Sequence, residues 1–110
     1  MTKPEEATVV LTTCPDLETA ESIAKLLVIE RSAACVNIVE KIHSTYRWED
    51  GIESAQETLL IIKTTKQRYG EVETTIQREH PYEVPEIIAI DIKQGAPSYL
   101  DWINHSTIKE

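Results

Sequence analysis

The sequence predicts a single α+β domain in which two β-α-β units are joined through a long central hairpin. Two segments carry apolar residues at helical spacing, residues 17–31 and 66–80. The segments around them alternate with a period of two or form short unbroken apolar runs, as strands do. Asp50-Gly51 is the strongest hairpin signal in the chain and divides the longest strand-like stretch. At 110 residues the chain suffices for one core and is too short for two domains, so we assign residues 1–110 to one domain.

The first β-α pair begins at Ala7. Ala7–Thr13 is a β-branched run that ends before Pro15 and indicates a buried strand. Asp16 follows as a helix N-cap. The helix then presents one apolar stripe, made of Leu17, Ala20, Ile23, Ala24 and Leu27. We expect this helix to end near Arg31.

Two long strands make up the central hairpin. From Ala34 the apolar period changes to two, and one parity is mostly apolar: Val36, Ile38, Ile42, Tyr46 and Trp48. We expect these side chains to share one face of the sheet. The second strand runs from Ile52 to Thr65, and its unbroken run from Thr58 to Ile62 predicts a central strand covered on both faces.

The hairpin turn determines which residues face each other. We interpret Asp50-Gly51 as the central pair of a type I′ turn, which needs positive φ at both positions. That register places Lys63 opposite Ile38 and diagonal to Glu40. An ion pair between Lys63 and Glu40 is therefore a simpler role for this lysine than a catalytic amine.

The last third of the chain repeats the α-β order. Lys66–His80 predicts the second helix, which Pro81 stops, and Val84–Ile92 predicts the last strand. Ser98 is placed to cap a short C-terminal helix. The order βαββαβ predicts a ferredoxin-like sandwich, an antiparallel four-stranded sheet with both helices on one face.

The length of the hairpin predicts self-association. About 14 residues per strand at about 3.3 Å each span roughly 45 Å. A helix of about 15 residues covers only about 22 Å, so about half of the hairpin extends past the helices. This overhang carries Tyr46 and Trp48, which would promote aggregation on an open sheet edge unless a second copy covers them. A twisted, solvated β-ribbon is the alternative, and these residues alone do not give the number of subunits.

Charge and composition exclude several classes of function. The net charge of -8 repels phosphate backbones and anionic lipid headgroups, which argues against nucleic-acid and membrane partners. No apolar run resembles a signal peptide or a membrane helix. The two cysteines, Cys14 and Cys35, form no C-x-x-C pair, so we expect reduced thiols in a cytoplasmic protein.

The polar residues indicate a binding protein rather than an enzyme. The sequence has no nucleophile elbow, Gly-rich phosphate loop, H-E-x-x-H or EF-hand pattern, so we predict no catalytic activity. The densest polar cluster is Glu79–Glu86, where two prolines fix a loop whose imidazole and carboxylates suit Cu²⁺ or Zn²⁺. The alternative is that His80 complements the negative end of its helix.

Each cysteine has two interpretations as well. Cys14 leads into the first helix, whose N-terminus would acidify the thiol and make it a better ligand. The alternative is a small turn residue. Cys35, between Ala34 and Val36, is better explained as a packed core residue.

Five blocks of the sequence form a combined pattern: Ala33–Asn37, Ser44–Glu49, Leu60–Thr64, His80–Glu86 and Tyr99–Trp102. Taken together, they resemble the CutA divalent-cation-tolerance family. The match covers roughly Ala7 to Ile103 in order. Each block is modest alone, and the combination is highly specific.

The resemblance implies a ferredoxin-like fold and a tightly packed homotrimer formed through the long hairpins. It also implies a role in tolerance to copper and other divalent metals, without a certain cofactor. The architecture is similar to that of the trimeric PII signalling proteins. That similarity leaves two alternatives: a sensor that binds a small metabolite or anion in a cleft between subunits, and a non-catalytic scaffold for a protein partner.

The resemblance also implies a metal site. The family pattern pairs a cysteine in the first strand with two histidines before Pro-Tyr. His80 matches the second histidine, Glu79 replaces the first, Thr12 occupies the cysteine position and Cys14 lies two residues further on. The expected ligand set is therefore Cys14, Glu79 and His80, harder than a Cys-His-His set and weaker for Cu(I). A wider pocket near a subunit boundary would include Cys35, Tyr46, Trp48, Lys63, Tyr82 and Glu86.

Overall fold

A computed structural model describes Lys3 and residues 6–109 of the chain. Its elements are β1 (Ala7–Cys14), α1 (Leu17–Ile29), β2 (Cys35–Trp48), β3 (Gly51–Thr65), α2 (Tyr69–Glu79), β4 (Ile88–Asp91) and α3 (Pro97–Ser106). The predicted βαββαβ order and the terminal helix are confirmed. No helix in the described residues is long and apolar enough to cross a membrane.

The four strands form one antiparallel sheet in the order β2-β3-β1-β4. Helices α1 and α2 pack on one face of it. The core between them contains Val10, Cys14, Ala20, Ile23, Leu27, Ala33, Leu60, Ile62, Val72 and Ile76. This arrangement is the ferredoxin-like sandwich that the sequence predicts.

The N-terminal ends of α1 and α3 can be compared with the capping residues that the sequence predicts. Asp16 caps α1 as predicted, because its Oδ1 accepts the Thr19 N–H at 2.8 Å. At α3 the prediction is wrong: the helix begins at Pro97 after Ala96, and Ser98 lies inside it. Proline suits the first helical position because its φ is already helical and it lacks an N–H that would go unbonded.

Two predicted elements are longer than the observed ones. The last strand was predicted from Val84 and begins at Ile88, because the preceding segment bends and pairs with no strand. The second helix was predicted from Lys66 and begins at Tyr69, after a turn in which the Arg68 N–H bonds to the Thr65 carbonyl at 3.0 Å.

The hairpin turn lies one residue earlier than predicted. Trp48 pairs with Gly51, so the two turn residues are Glu49 and Asp50. Only Glu49 has positive φ (53°), and Gly51 opens β3 without positive φ. The prediction of a type I′ turn at Asp50-Gly51 is therefore wrong. The register is set by the pairing of the two strands rather than by the local preference of this dipeptide.

A β-bulge divides β2 into two parts. Val39 pairs with Leu59 and Ile42 with Glu57, so two residues, Glu40 and Lys41, oppose a single one. Lys41 adopts φ 59° at this point. The extra residue reverses which face the following side chains point to. The prediction that the alternate residues from Val36 to Trp48 share one face is therefore wrong.

The two parts of β2 consequently show different side chains to the helices. Before the bulge, Val36 and Ile38 pack against the core below α1 and α2. Beyond it, Tyr46 and Trp48 pair with Glu53 and Gly51 and so point to the opposite face.

The register also gives Lys63 a different neighbour from the expected one. Lys63 lies opposite Cys35 rather than Ile38, and its ammonium donates to Asn37 Oδ1. The predicted ion pair with Glu40 is wrong, because the earlier turn and the bulge together shift the pairing by three residues.

The hairpin gives the molecule an elongated shape. Its principal extents are 49 × 26 × 21 Å. All residues from 45 to 54 are exposed. The outer half of the hairpin therefore extends beyond the body of the molecule, as its length predicts.

Candidate functional site

The face of the sheet opposite α1 and α2 is apolar. We call it the open face. Register places on it Val9, Leu11, Val39, Leu59, Ile61, Ile88 and Ile90. Ile88 and Ile90 are about half exposed, at 49% and 51%. The same register adds the polar Thr13, Asn37 and Lys63, but apolar residues outnumber them. The solvent face of an antiparallel sheet is normally mostly polar, and this one is mostly apolar.

Helix α3 covers only one end of the open face. It contacts β1 and β3, and its Tyr99 lies close enough to Cys35 for the thiol to contribute to the raised pKa of Tyr99, after the larger effect of burial. Tyr99 stacks on Trp102 with ring centroids 5.6 Å apart, and both side chains are nearly half exposed. The aromatic pair therefore forms a rim beside the apolar surface.

A second group of residues lies where β1 ends and the loop after α2 begins. His80 is buried, and its Nε2 lies 2.8 Å from the Thr13 carbonyl. Its Nδ1 accepts the Tyr82 N–H at 3.1 Å. Because Nδ1 accepts, the proton of the neutral ring is on Nε2, which donates to Thr13. The imidazole thus connects β1 to the loop.

Tyr82 extends this connection to the hairpin. Its ring centroid lies 4.7 Å from that of His80, and its hydroxyl donates to Glu57 Oε2 at 2.8 Å. Burial, followed by the bond to Glu57 and its charge, raises the pKa of Tyr82 to about 12. Tyr46 and Cys14 add smaller electrostatic contributions, which places them nearby.

Glu57 is the functional candidate that the sequence did not reveal. The residue is only 8% exposed, beside the bulge. Within the described residues, Tyr82 is its hydrogen-bond partner. In the sequence, Glu57 stands directly before the apolar run of β3. Carboxylates in such positions are usually solvated, so nothing in the sequence indicated a buried one.

Cys14 is a buried thiol and not an acidified one. It is 0% exposed, and burial raises its pKa to about 11, with further contributions from the charges of Asp16 and Glu57. The expected acidification by the N-terminus of α1 is therefore wrong, because loss of solvent and two nearby carboxylates outweigh the helix dipole.

The predicted ligands Cys14, Glu79 and His80 do not form a donor set within this chain. Glu79 is exposed and pairs with Arg78, Nε to Oε2 at 2.8 Å. Both ring nitrogens of His80 are hydrogen-bonded, and Cys14 is fully buried in the core. Among the described residues no three His, Cys, Asp or Glu side chains converge as metal ligands do. As arranged here, these residues do not fit a metal ion.

The wider pocket falls into separate groups. Cys35 and Lys63 face each other at the inner end of the hairpin. Tyr46 and Trp48 lie on its outer half, and Tyr46 is close enough to Tyr82 to affect the pKa of that residue. Tyr82 bonds to Glu57, and Glu86 is exposed in the loop before β4. Among the described residues, the six are therefore spread over the hairpin and the loop before β4.

Two cavities in the described part of the chain lie outside the predicted sites, and the second one reaches Glu57. One of about 670 Å³ lies between the end of α1 and α2, lined by charged and polar residues such as Glu30, Gln67 and Arg78. The other, about 240 Å³, lies beside the bulge and includes Asp16, Lys41 and Glu57 in its lining. Neither contains a residue of the predicted sites.

Comparison with known proteins gives consistent matches along nearly the whole chain. A family model described as CutA1 divalent ion tolerance protein matches residues 8–106. The "Divalent-cation tolerance protein CutA" of Thermus thermophilus is 48% identical over 99 residues, 90% of this chain and 96% of that protein. "Protein CutA" of mouse is 38% identical over 104 residues, and this chain spans 59% of its length. The crystal structure of CutA from Xylella fastidiosa superposes with a TM-score of 0.92 at 43% identity, over 94% of this chain and 99% of that one.

Proposed function

This chain belongs to the CutA1 divalent ion tolerance protein family, and from that membership we propose that it acts in tolerance to divalent cations as a non-catalytic homotrimer. In this proposal the trimer binds the cations, copper among them, directly. The location we propose is the cytoplasm, although a relative from Arabidopsis thaliana is named chloroplastic.

The observation that carries the proposal is the open face together with the overhanging hairpin. Tyr46 and Trp48 are 43% and 60% exposed, on the same side of β3 as Ile61. Covering this surface removes apolar area from water at about 25 cal/mol per Å². Copies related by rotation can each insert a hairpin against the open face of the next, which closes a ring.

Direct cation binding draws support from the charge of the chain. A net charge of -8 creates a negative potential that attracts divalent cations, and a trimer would carry three times this charge. Carboxylates suit hard divalent ions, and imidazoles near the surface suit copper.

Sedimentation equilibrium over a concentration series tests the assembly. We expect one species of three chain masses at all concentrations at which the protein folds. A soluble, folded single chain in dilute solution would refute the homotrimer.

Calorimetric titration with CuCl₂ at neutral pH tests the second part of the proposal. We expect saturable uptake at micromolar concentrations or below, at about −8 kcal/mol per site or tighter. Heats that merely track ionic strength, without saturation, would remove direct binding and leave the assembly untouched.

A second candidate is the binding of a small anion or metabolite between subunits. The observation that favours it is Lys63, which lies half-buried on the open face with an amide partner, Asn37, and, within residues 6–109, no carboxylate partner. A thermal-shift screen against nucleotides and small carboxylates separates the candidates, since only this one expects a non-metal ligand. Lys63→Ala should abolish such a shift, whereas Lys25→Ala, on the exposed side of α1, should not.

A pure scaffold would be stabilised by neither class of ligand. In that case the open face would still trimerise, and the partner protein would bind the outer surface.

A further inference from the structure

We infer that His80 is a positioning residue and not a metal ligand: its imidazole ties the loop after α2 to the end of β1 and so holds the Tyr82 hydroxyl on the Glu57 carboxylate. The inference deepens the proposed function, on which it rests, because it assigns the bound cations to other groups of the trimer.

The first argument is the state of the ring nitrogens. A metal binds the free lone pair of an imidazole nitrogen. In His80 the lone pair of Nδ1 already accepts the Tyr82 N–H at 3.1 Å, and Nε2 carries the proton donated to the Thr13 carbonyl at 2.8 Å. His80 is only 7% exposed. Coordination at either nitrogen would break a buried hydrogen bond and leave its partner unpaired.

The second argument is that the neighbours supply no further ligand. The Cys14 thiol is fully buried in the core between the sheet and the helices. Glu79 is oriented to the solvent side and paired with Arg78. A single imidazole without a second donor from the chain is a weak site for any divalent ion.

The third argument is what the two bonds of His80 accomplish. They fix the backbone at Tyr82, and the tyrosine hydroxyl then reaches Glu57 Oε2 at 2.8 Å. Glu57 is 8% exposed, and a carboxylate buried to that extent needs a donor. The chain of contacts therefore joins β1, the loop and β3 at the bulge, where the body of the domain meets the overhang.

The test compares two substitutions of the same residue. His80→Gln replaces the imidazole with an amide that has one acceptor and one donor, so it can take over both hydrogen bonds. His80→Ala removes both. Neither variant has an imidazole. A metal ligand would be lost in both variants, whereas a positioning role would be lost only in His80→Ala.

The first measurement is hydrogen exchange of the Tyr82 amide. We expect exchange at least about tenfold faster in His80→Ala than in the wild type, and a rate close to the wild type in His80→Gln. The second is ¹⁵N NMR of the wild-type imidazole. We expect an unprotonated Nδ1 and a protonated Nε2, with neither signal moved by saturating Zn²⁺.

The third measurement is calorimetry of both variants with CuCl₂ and ZnCl₂. The inference expects dissociation constants within about twofold of the wild type in His80→Gln. It is overturned if Zn²⁺ shifts the His80 nitrogens, or if His80→Gln loses cation binding while keeping Tyr82 protected. If His80→Ala does not fold, the His80→Gln variant and the wild-type spectrum still decide.

Failure of the proposed function gives a different result. If the wild type binds no divalent cation at all, direct binding is removed. The tautomer of His80 and the protection of the Tyr82 amide still decide whether His80 positions the loop.

Discussion

Both faces of the sheet carry large apolar side chains, and the faces differ in what covers them. In β3, Leu60 and Ile62 point to the helices and are 0% exposed, while their neighbours Leu59 and Ile61 point to the open face and are partly exposed. A sheet covered on one side would carry polar residues on the other. The composition of the open face is therefore typical of a buried surface. Within the chain itself, only the end beneath α3 is covered.

The bulge extends this surface into the hairpin. Without it, Tyr46 and Trp48 would lie on the helix side of the sheet, beyond the reach of any helix. The extra residue at Glu40 and Lys41 turns the strand over, so both aromatic residues join Ile61 on the open face. The open face thus continues from the body of the domain to the hairpin tip, where a neighbouring copy can bind along its whole length.

Ile61→Glu should produce the largest effect, because it places a charge on the open face. A buried carboxylate without a partner costs about 3–5 kcal/mol in each copy of an assembly. We expect the proposed trimer to dissociate or to form only at much higher concentration, as measured by sedimentation velocity.

The control for Ile61→Glu is the same change on a different surface. Ile29 at the end of α1 is 70% exposed, so Ile29→Glu should keep the wild-type sedimentation coefficient. An assembled Ile61→Glu protein would show that the open face is not the interface.

Ile62→Ala tests the covered face and should cost about 2–5 kcal/mol of unfolding free energy, because it leaves a cavity in the core. The loss should not depend on protein concentration. Ile61→Ala removes the same atoms one residue away, and its effect should grow as the protein is diluted, since it weakens association. Denaturant unfolding at two protein concentrations measures both. Equal, concentration-independent losses would contradict a difference between the faces.

Tyr82→Phe tests the junction between the body and the hairpin, with an expected loss of about 1–3 kcal/mol because buried Glu57 loses its donor. The pH dependence has a definite sign. The folded-state pKa of Tyr82 is about 12, above the value of about 10 for an unfolded tyrosine, so the folded protein retains a proton that the unfolded chain loses. Stability should therefore fall as pH rises from about 10 towards 12, and this component should be missing in Tyr82→Phe. An identical alkaline profile in both proteins would refute the assignment.

The order of elements was predictable because it depends on local periodicity. The helical stripe from Leu17 to Leu27 and the cap at Asp16 are properties of a few consecutive residues, and both are confirmed. The turn and the bulge were not predictable in the same way. Their positions follow from the pairing of Cys35 with Lys63 and of Trp48 with Gly51. This register forms the hydrogen bonds along both strands, and the turn therefore does not use the favoured dipeptide Asp50-Gly51.

The site was predictable only in part. His80 and Tyr82 belong to the polar loop that the sequence singled out, and the structure places them in contact. Glu57, the partner of the Tyr82 hydroxyl, comes from a strand 25 residues away from Tyr82, and no local pattern connects the two. The predicted shift of the Cys14 pKa had the wrong direction for a similar reason. The burial of the thiol and its closeness to the charge of Glu57 arise only in the folded chain.

Thr12→Val should produce the smallest effect and the opposite sign. The Thr12 hydroxyl points into the covered face, and among the described residues its oxygen is the buried side-chain atom without a hydrogen-bond partner. Replacing it with a methyl group of similar shape removes an unpaid desolvation cost, so unfolding free energy should rise by about 1 kcal/mol. Thr64→Val is the matched control on the same face. Its hydroxyl donates to the Ser32 carbonyl at 2.6 Å, so the same change should lower stability by about 1 kcal/mol. Thermal unfolding of both variants distinguishes them, and a loss in Thr12→Val equal to that in Thr64→Val would mean that the covered face supplies Thr12 with a partner.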